Sequence, residues 1–135
     1  MFVADASVWV GAAQKVDRFH DASRAWIVGR VSEGARLLEP TLLLPEVAGA
    51  IRRQTGRPVF AERWLSEVRA IPAVVWHSID SALADRAAEL SAALGVRGAD
   101  AIYVALAEAL DVPLVTWDRR RAFAAGDRAL TPETA

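Results

Sequence analysis

Short apolar runs alternate along this chain with longer stretches in which apolar residues return at helical spacing, and that alternation limits the fold more than any other feature. Strand–helix–strand units produce a parallel sheet whose crossover helices cover both faces. The first run, Phe2-Val3-Ala4, is closed by Asp5 and reads as a buried strand. Ala6 to Gln14 follows as a helix, with Asp5 or Ser7 placed to cap it. Asp17 to Val31 carries Phe19, Ala22, Trp26 and Val28 at helical intervals before the breaker pair Glu33-Gly34. Arg36 to Glu39 is the second strand, ended by Pro40. Thr41 is positioned to cap a helix running to about Gln54, in which Pro45 is tolerated because a first-turn residue has no intrahelical N–H bond to lose. Arg57 to Ala70 is amphipathic, Ala73 to Trp76 is the third strand, and Ser78 and Asp80 open an alanine-rich helix ending at Gly95. A further helix runs from Ala99-Asp100 to Leu110, and the fourth strand, Val112 to Thr116, delivers Trp117-Asp118 at its end. A short helix from Arg119 to Ala124 and a last strand at Arg128-Ala129-Leu130 complete the pattern. The expectation is a three-layer α/β/α sandwich with a central parallel sheet of four to five strands, in one domain spanning residues 1–135.

Composition narrows the chemistry. A hydrophobic fraction of 53% exceeds the usual 45–50% or so, which suits a sheet covered on both sides and argues against disorder. No apolar run reaches the roughly 18 residues of a membrane span, and no basic segment precedes an apolar stretch and cleavage site, so a soluble cytoplasmic protein with no membrane partner is expected. Cysteine is absent, which excludes disulfides, thiol catalysis and cysteine-based zinc sites. His20 and His77 are the only histidines; one falls on a helix surface and one at a strand end, and both read as incidental. Carboxylates are therefore the natural place to look for ligands. The net charge of −1 runs against the overall basic character usual in nucleic-acid binders, although a cluster of acids lowers the total without saying where the basic residues lie. Lys15 is the only lysine, so arginine, the better bidentate phosphate ligand, supplies the remaining positive charge.

In open α/β sheets the working site lies at the carboxyl ends of the strands, near the point where strand order reverses. Asp5 and Asp118 fall at strand ends, and Glu46 and Asp100 in the first turns of helices, where the helix dipole favours a carboxylate by about 0.3–1 kcal/mol. Each alone has an ordinary structural reading as a turn or first-turn acid, but all four are able to face one edge of the sheet. Crowded carboxylates repel one another until a cation relieves the charge. Mg²⁺, or Mn²⁺ in its place, prefers oxygen ligands and keeps open positions for water. One ion with a carboxylate base, or two ions together, would then activate water and stabilise the leaving oxygen in phosphodiester cleavage.

Asp5-Ala6-Ser7 after the first strand, Leu44-Pro45-Glu46-Val47 in an early helix, Arg97-Gly98-Ala99-Asp100-Ala101 opening a late helix and Val115-Thr116-Trp117-Asp118 after a late strand together resemble the PIN-domain pattern. The likeness covers essentially the whole chain and is nearest the VapC-type toxins of bacterial toxin–antitoxin pairs. It implies that Asp5, Glu46, Asp100 and Asp118 form the catalytic, metal-binding site, with Ser7 and Thr116 supporting it through their hydroxyls. It implies an endoribonuclease that leaves a 5′-phosphate and a 3′-hydroxyl. It also implies a homodimer and a cognate VapB-like antitoxin, whose tail lies across the toxin and is able to insert an arginine into the acidic pocket. Trp26, Leu43 and Trp64 sit on helices that would wall such a groove, with core packing as the alternative.

Trp117 departs from the aliphatic residue that many relatives carry, and Asp127, after Gly126, reads as a turn residue rather than a fifth acid. Arg97 and the run Arg119-Arg120-Arg121 flank the acids, either as phosphate contacts or as a solvated surface. Two rival classes share parts of this pattern. A haloacid-dehalogenase-type phosphatase needs a second aspartate where Ser7 stands, and a receiver domain needs a late lysine. A dinucleotide-binding domain needs a Gly-x-Gly-x-x-Gly that is missing here. The other rival is a catalytically silent PIN-fold module that binds RNA or protein without cutting.

Overall fold

The computed structural model describes residues 1–135. Its elements run β1 (Val3–Ala4), α1 (Ala6–Ala13), α2 (His20–Ser32), β2 (Leu37–Pro40), α3 (Leu43–Thr55), α4 (Pro58–Arg69), β3 (Val74–His77), α5 (Ser81–Leu94), α6 (Gly98–Ala109), β4 (Leu114–Val115), α7 (Arg119–Ala125), a 3₁₀ turn and β5 (Ala129–Leu130). Every strand pairing is parallel. β2 pairs with β3, β1 with β4 and β4 with β5, while a single bridge from Phe2 to Leu37 joins the two ladders. The strand order is thus β3-β2-β1-β4-β5, and it reverses between β1 and β4. Helices flank this sheet as the alternation predicts: α1 to α4 pack among themselves, and α5, α6 and α7 form a second group.

The core explains why a chain of this size tolerates such short strands. Val3, Ala4, Leu114 and Val115 are fully buried, so the central pair gains from burial on both faces what it lacks in length. α6 is buried continuously from Asp100 to Ala107, which is how a helix seated against the sheet and between neighbours reads. Aspartates cap α1, α5 and α7. Gly56 and Gly95 end α3 and α5 at φ values of 70° and 68°, where a side chain would be strained. No single helix is long and apolar enough to cross a membrane.

Two boundaries differ from the sequence expectation for identifiable reasons. Thr41 does not cap α3; its N–H donates to the His77 carbonyl and prolongs the β2/β3 ladder, so the helix starts at Leu43 with no side-chain cap. The Asp17 carboxylate accepts from the Phe19 N–H in a tight turn, which delays α2 to His20.

Glu39 fills the gap where the two ladders part. Beyond Leu38, whose N–H still reaches the Phe2 carbonyl, β1 and β2 diverge. The Ala4 N–H donates instead to Glu39 Oε1, which also receives the Trp9 indole N–H at 3.2 Å. The side chain is fully buried and its second oxygen has no partner. Burial pushes its pKa well above the usual carboxylate range, the two donated hydrogen bonds only partly opposing this. The folded chain therefore holds a proton on Glu39 that the unfolded chain releases once pH passes the ordinary carboxylate range, and stability falls as pH rises from there toward the raised folded pKa. Glu39→Gln, which keeps the shape and the accepting oxygen, should match the wild type in urea unfolding near about pH 4 and exceed it by about 1 kcal/mol or more near about pH 8. An equal difference at both pH values would mean that Glu39 is ionised in the folded state.

Candidate active site

The reversal of strand order opens a crevice at the carboxyl ends of β1 and β4, and both ends deliver an aspartate there. Asp5 follows β1 and caps α1. It is fully buried: Oδ1 accepts from the Ser7 N–H at 2.9 Å and from the Ser7 hydroxyl, and Oδ2 accepts from the Thr116 hydroxyl. Asp118 follows β4 and caps α7, accepting from the N–H groups of Arg120 and Arg121 at 2.8 and 3.3 Å. Thr116 links the two aspartates, since its oxygen also accepts from the Asp118 N–H at 2.8 Å. Ser7 does likewise for the Trp117 N–H at 3.0 Å. Both hydroxyls thus fix carboxylates by donating to Asp5 and accepting from the backbone that leads to Asp118.

Asp100 and Glu46 approach from the helices. Asp100, in the first turn of α6, is 1% exposed, and Glu46, in the first turn of α3, receives the Tyr103 hydroxyl at 2.6 Å. Tyr103 lies three residues after Asp100 and so shares its face of α6. Burial and the adjacent Glu46 hold its phenol pKa far above the ordinary value, so it acts only as a donor.

At the centre of these acids stands Arg121. Its Nη1 is 2.9 Å from Asp5 Oδ2, its Nε 2.7 Å from Asp100 Oδ1 and its Nη2 3.7 Å from Glu46 Oε1. The guanidinium carbon lies 4.9 Å from the centroid of the Tyr103 ring. Burial works against its charge, but Asp5 and Asp100 outweigh that and hold its pKa above the ordinary arginine value. Arg121 separates from the rest of its basic run: Arg119 and Arg120 are exposed, whereas Arg121 is buried. Reading the run as one block, whether of phosphate contacts or of solvated surface, misses this residue. The available signal was spacing, because a residue three places after the capping Asp118 sits one turn in, on the side that faces the pocket.

The remaining residues fall around this centre. Arg97 Nε pairs with Asp100 Oδ2 at 3.2 Å while its side chain stays 69% exposed. Arg97, Arg119 and Arg120 line a shallow depression together with the exposed Phe123. Trp117 walls the acidic cleft with its indole N–H on Ser23 Oγ at 2.9 Å and its ring stacked on Phe19, centroids 4.0 Å apart. Ser23 reaches this position because position 11 is glycine; a Cβ there would lie 2.7 Å from the Ser23 oxygen. Trp26, Leu43 and Trp64 are buried in the core, with Trp64 also edging a groove between α1–α2 and α4, and Asp127 is exposed after Gly126. His20, at the start of α2, donates its Nδ1–H to the Gly11 carbonyl at 2.9 Å, away from the acids.

Oxygen donors of this kind suit Mg²⁺ or Mn²⁺. The acids have drawn a guanidinium into their midst, which shows how strongly the pocket requires positive charge. No three acids converge in direct ligating geometry, and Arg121 stands among them.

The chain is thus a parallel α/β protein with an acid-lined crevice at the switch point of its sheet. The chain belongs to the PIN domain family, whose model matches residues 2–128. Two solved structures share the fold. VapC20 of Mycobacterium tuberculosis, described as a sarcin–ricin-loop-cleaving toxin, superposes with a TM-score of 0.80 at 17% identity, over 95% of this chain and 98% of that one. PAE2754 of Pyrobaculum aerophilum gives 0.69 at 24% identity, over 98% and 89% of the two chains. No curated protein matches the chain in sequence.

Thr116→Val keeps the shape of the side chain but leaves both Asp5 Oδ2 and the Asp118 N–H short of a partner. Urea unfolding should show a loss of about 1–3 kcal/mol, while Thr116→Ser, which keeps the hydroxyl, should stay within about 1 kcal/mol of the wild type. Equal losses in the two variants would assign Thr116 a packing role only.

Proposed function

We propose that this chain is a divalent-metal-dependent endoribonuclease of the VapC type, a single PIN domain over residues 1–135 that serves as the toxin of a toxin–antitoxin pair. The observation that carries the reading is the gathering of Asp5, Asp100 and Glu46 on one positive charge, the Arg121 guanidinium, which lines a cleft with Glu46 and Asp118 at the switch point of the sheet. Family membership and the fold shared with a toxin described as cleaving the sarcin–ricin loop support RNA as the substrate.

Asp5, Asp100, Asp118 and Glu46 would hold Mg²⁺, with Mn²⁺ able to substitute. When bound, the ion supplies an acidified water and shields the charge of the phosphodiester. The residues themselves provide the geometry. Ser7 and Thr116 orient Asp5, and Tyr103 orients Glu46 by donating to Oε2. Arg97 and Arg119, on the rim, contact phosphates in a manner that weakens with salt.

The antitoxin would occupy a separate groove between α1–α2 and α4, walled by Trp9, Val16, Ile27, Phe60 and Trp64. Val16 and Phe60 are exposed there, which fits an apolar tail of a VapB-like partner. A homodimer and a cytoplasmic location accompany this reading. The guanidinium seated among the acids favours one second reading, a silent PIN module whose pocket is permanently neutralised and which binds RNA or protein without cutting.

Cleavage separates the two. Wild-type protein should cut structured RNA with Mg²⁺ or Mn²⁺, leaving 5′-phosphate ends. Asp5→Asn and Asp100→Asn should each lose more than the roughly 10–100-fold typical of a supporting residue, with their circular dichroism unchanged. Wild-type protein that binds RNA but does not cut it under any of these ions would favour the silent module, and undiminished cleavage by both variants would contradict the site.

A further inference from the structure

We infer that Arg121 and a divalent ion exclude each other from the acidic pocket, so that Arg121 is the residue that sets how strongly this chain binds its metal. The inference rests on the metal-dependent reading above and adds to it a built-in competitor.

Hydrogen-bond capacity is the first argument. A carboxylate offers about four acceptor positions. At Asp5 all four are taken: two at Oδ1 by the Ser7 N–H and hydroxyl, and two at Oδ2 by the Thr116 hydroxyl and Arg121 Nη1. At Asp100 both oxygens are engaged, Oδ1 by Arg121 Nε and Oδ2 by Arg97. An ion reaching Asp5 must displace one of its donors, whereas Asp100 keeps about two of its four positions open. Ser7 and Thr116 are held in place by the Trp117 and Asp118 N–H groups they receive. Arg121 is the one donor common to both aspartates.

Charge is the second argument, because two cations on the same oxygens repel strongly in a buried site. The neutral hydroxyls of Ser7 and Thr116 have no such quarrel with an ion. The third is access. Arg121 is a long side chain on the short helix α7 and lines the same open cleft as Glu46 and Asp118, so it has a route outward without unfolding anything. Glu46, at 3.7 Å and 22% exposed, is the outermost of its three acidic partners and lies on that route.

The consequence is a two-state pocket, filled by arginine in the absence of metal and by metal once Arg121 has left. If the arginine-out state is populated at about one part in ten or less, the apparent metal affinity is lowered by the same factor. Arg121→Met removes the charge and keeps the length.

Calorimetric titration with Mn²⁺ should show the Arg121→Met variant binding about 10-fold or more tightly than the wild type. Its metal-free melting midpoint should fall by about 10 °C, because two buried carboxylates lose their partner. Mn²⁺ should then recover a larger part of the midpoint in the variant than in the wild type. Equal or weaker Mn²⁺ binding by the variant overturns the inference while leaving the metal site standing. Absence of Mn²⁺ binding in both proteins overturns the metal reading and this inference with it. Should the variant not fold, the wild type carries the test alone. The ¹⁵N signal of the Arg121 Nε–H should be protected from solvent exchange without metal and lose that protection at saturating Mg²⁺. Retained protection at saturation overturns the inference.

Discussion

The ion cluster around Arg121 ties four elements of the fold together at the switch point of the sheet. It joins the end of β1 through Asp5, the start of α6 through Asp100, the start of α3 through Glu46 and the start of α7 through Arg121 itself. Two of these acids are almost wholly buried. Buried carboxylates without a partner cost several kcal/mol each, so the crevice at the switch point is tenable only with a cation inside it. The fold supplies one from its own chain. Such a cluster adds little net stability over an apolar core of the same shape, since desolvation consumes most of the Coulombic gain. Its effect is to keep a set of negative oxygens together in a place where burial alone would disperse or protonate them.

Two buried acids close to one another meet opposite fates, and the difference lies in their donors. Asp5 is met by Ser7, Thr116 and a full positive charge. Glu39, beside it at the parting of the ladders, is met by one backbone N–H and one indole N–H, with its second oxygen unpartnered. Burial then keeps Glu39 neutral, and the Asp5 charge adds to that effect. A neutral acid suits a position that only has to bridge a gap in the sheet. The chain thus separates the isolated Glu39 from the acids of the crevice by giving only the latter a cation.

Much of this could be read from the chain. The strand–helix alternation led to a parallel α/β/α fold because buried short strands and amphipathic helices have few other ways to cover one another. Asp5 and Asp118 were legible as strand-end acids, and Asp80 and Gly95 as the cap and stop of α5. Thr41 was misjudged because a β pairing that a linear reading cannot see claims its N–H. Arg121 was hidden for a related reason. A run of three arginines looks uniform in sequence, and only the turn of α7 makes its third member face inward while the first two stay in water. Glu39 carried no local sign at all, because its role follows from the divergence of two strands separated by more than thirty residues.

That the oxygens now held by Arg121 are the ones that would hold the metal follows directly from the mutual exclusion of Arg121 and the ion. A crystal structure of the wild-type protein grown with Mn²⁺, read through the anomalous signal of the ion, tests it in one step. The Mn²⁺ peak is expected against Asp5 and Asp100, with the Arg121 guanidinium moved out of the pocket. A peak elsewhere on the surface, or an ion in the cleft with Arg121 still bridging Asp5 and Asp100, would contradict it.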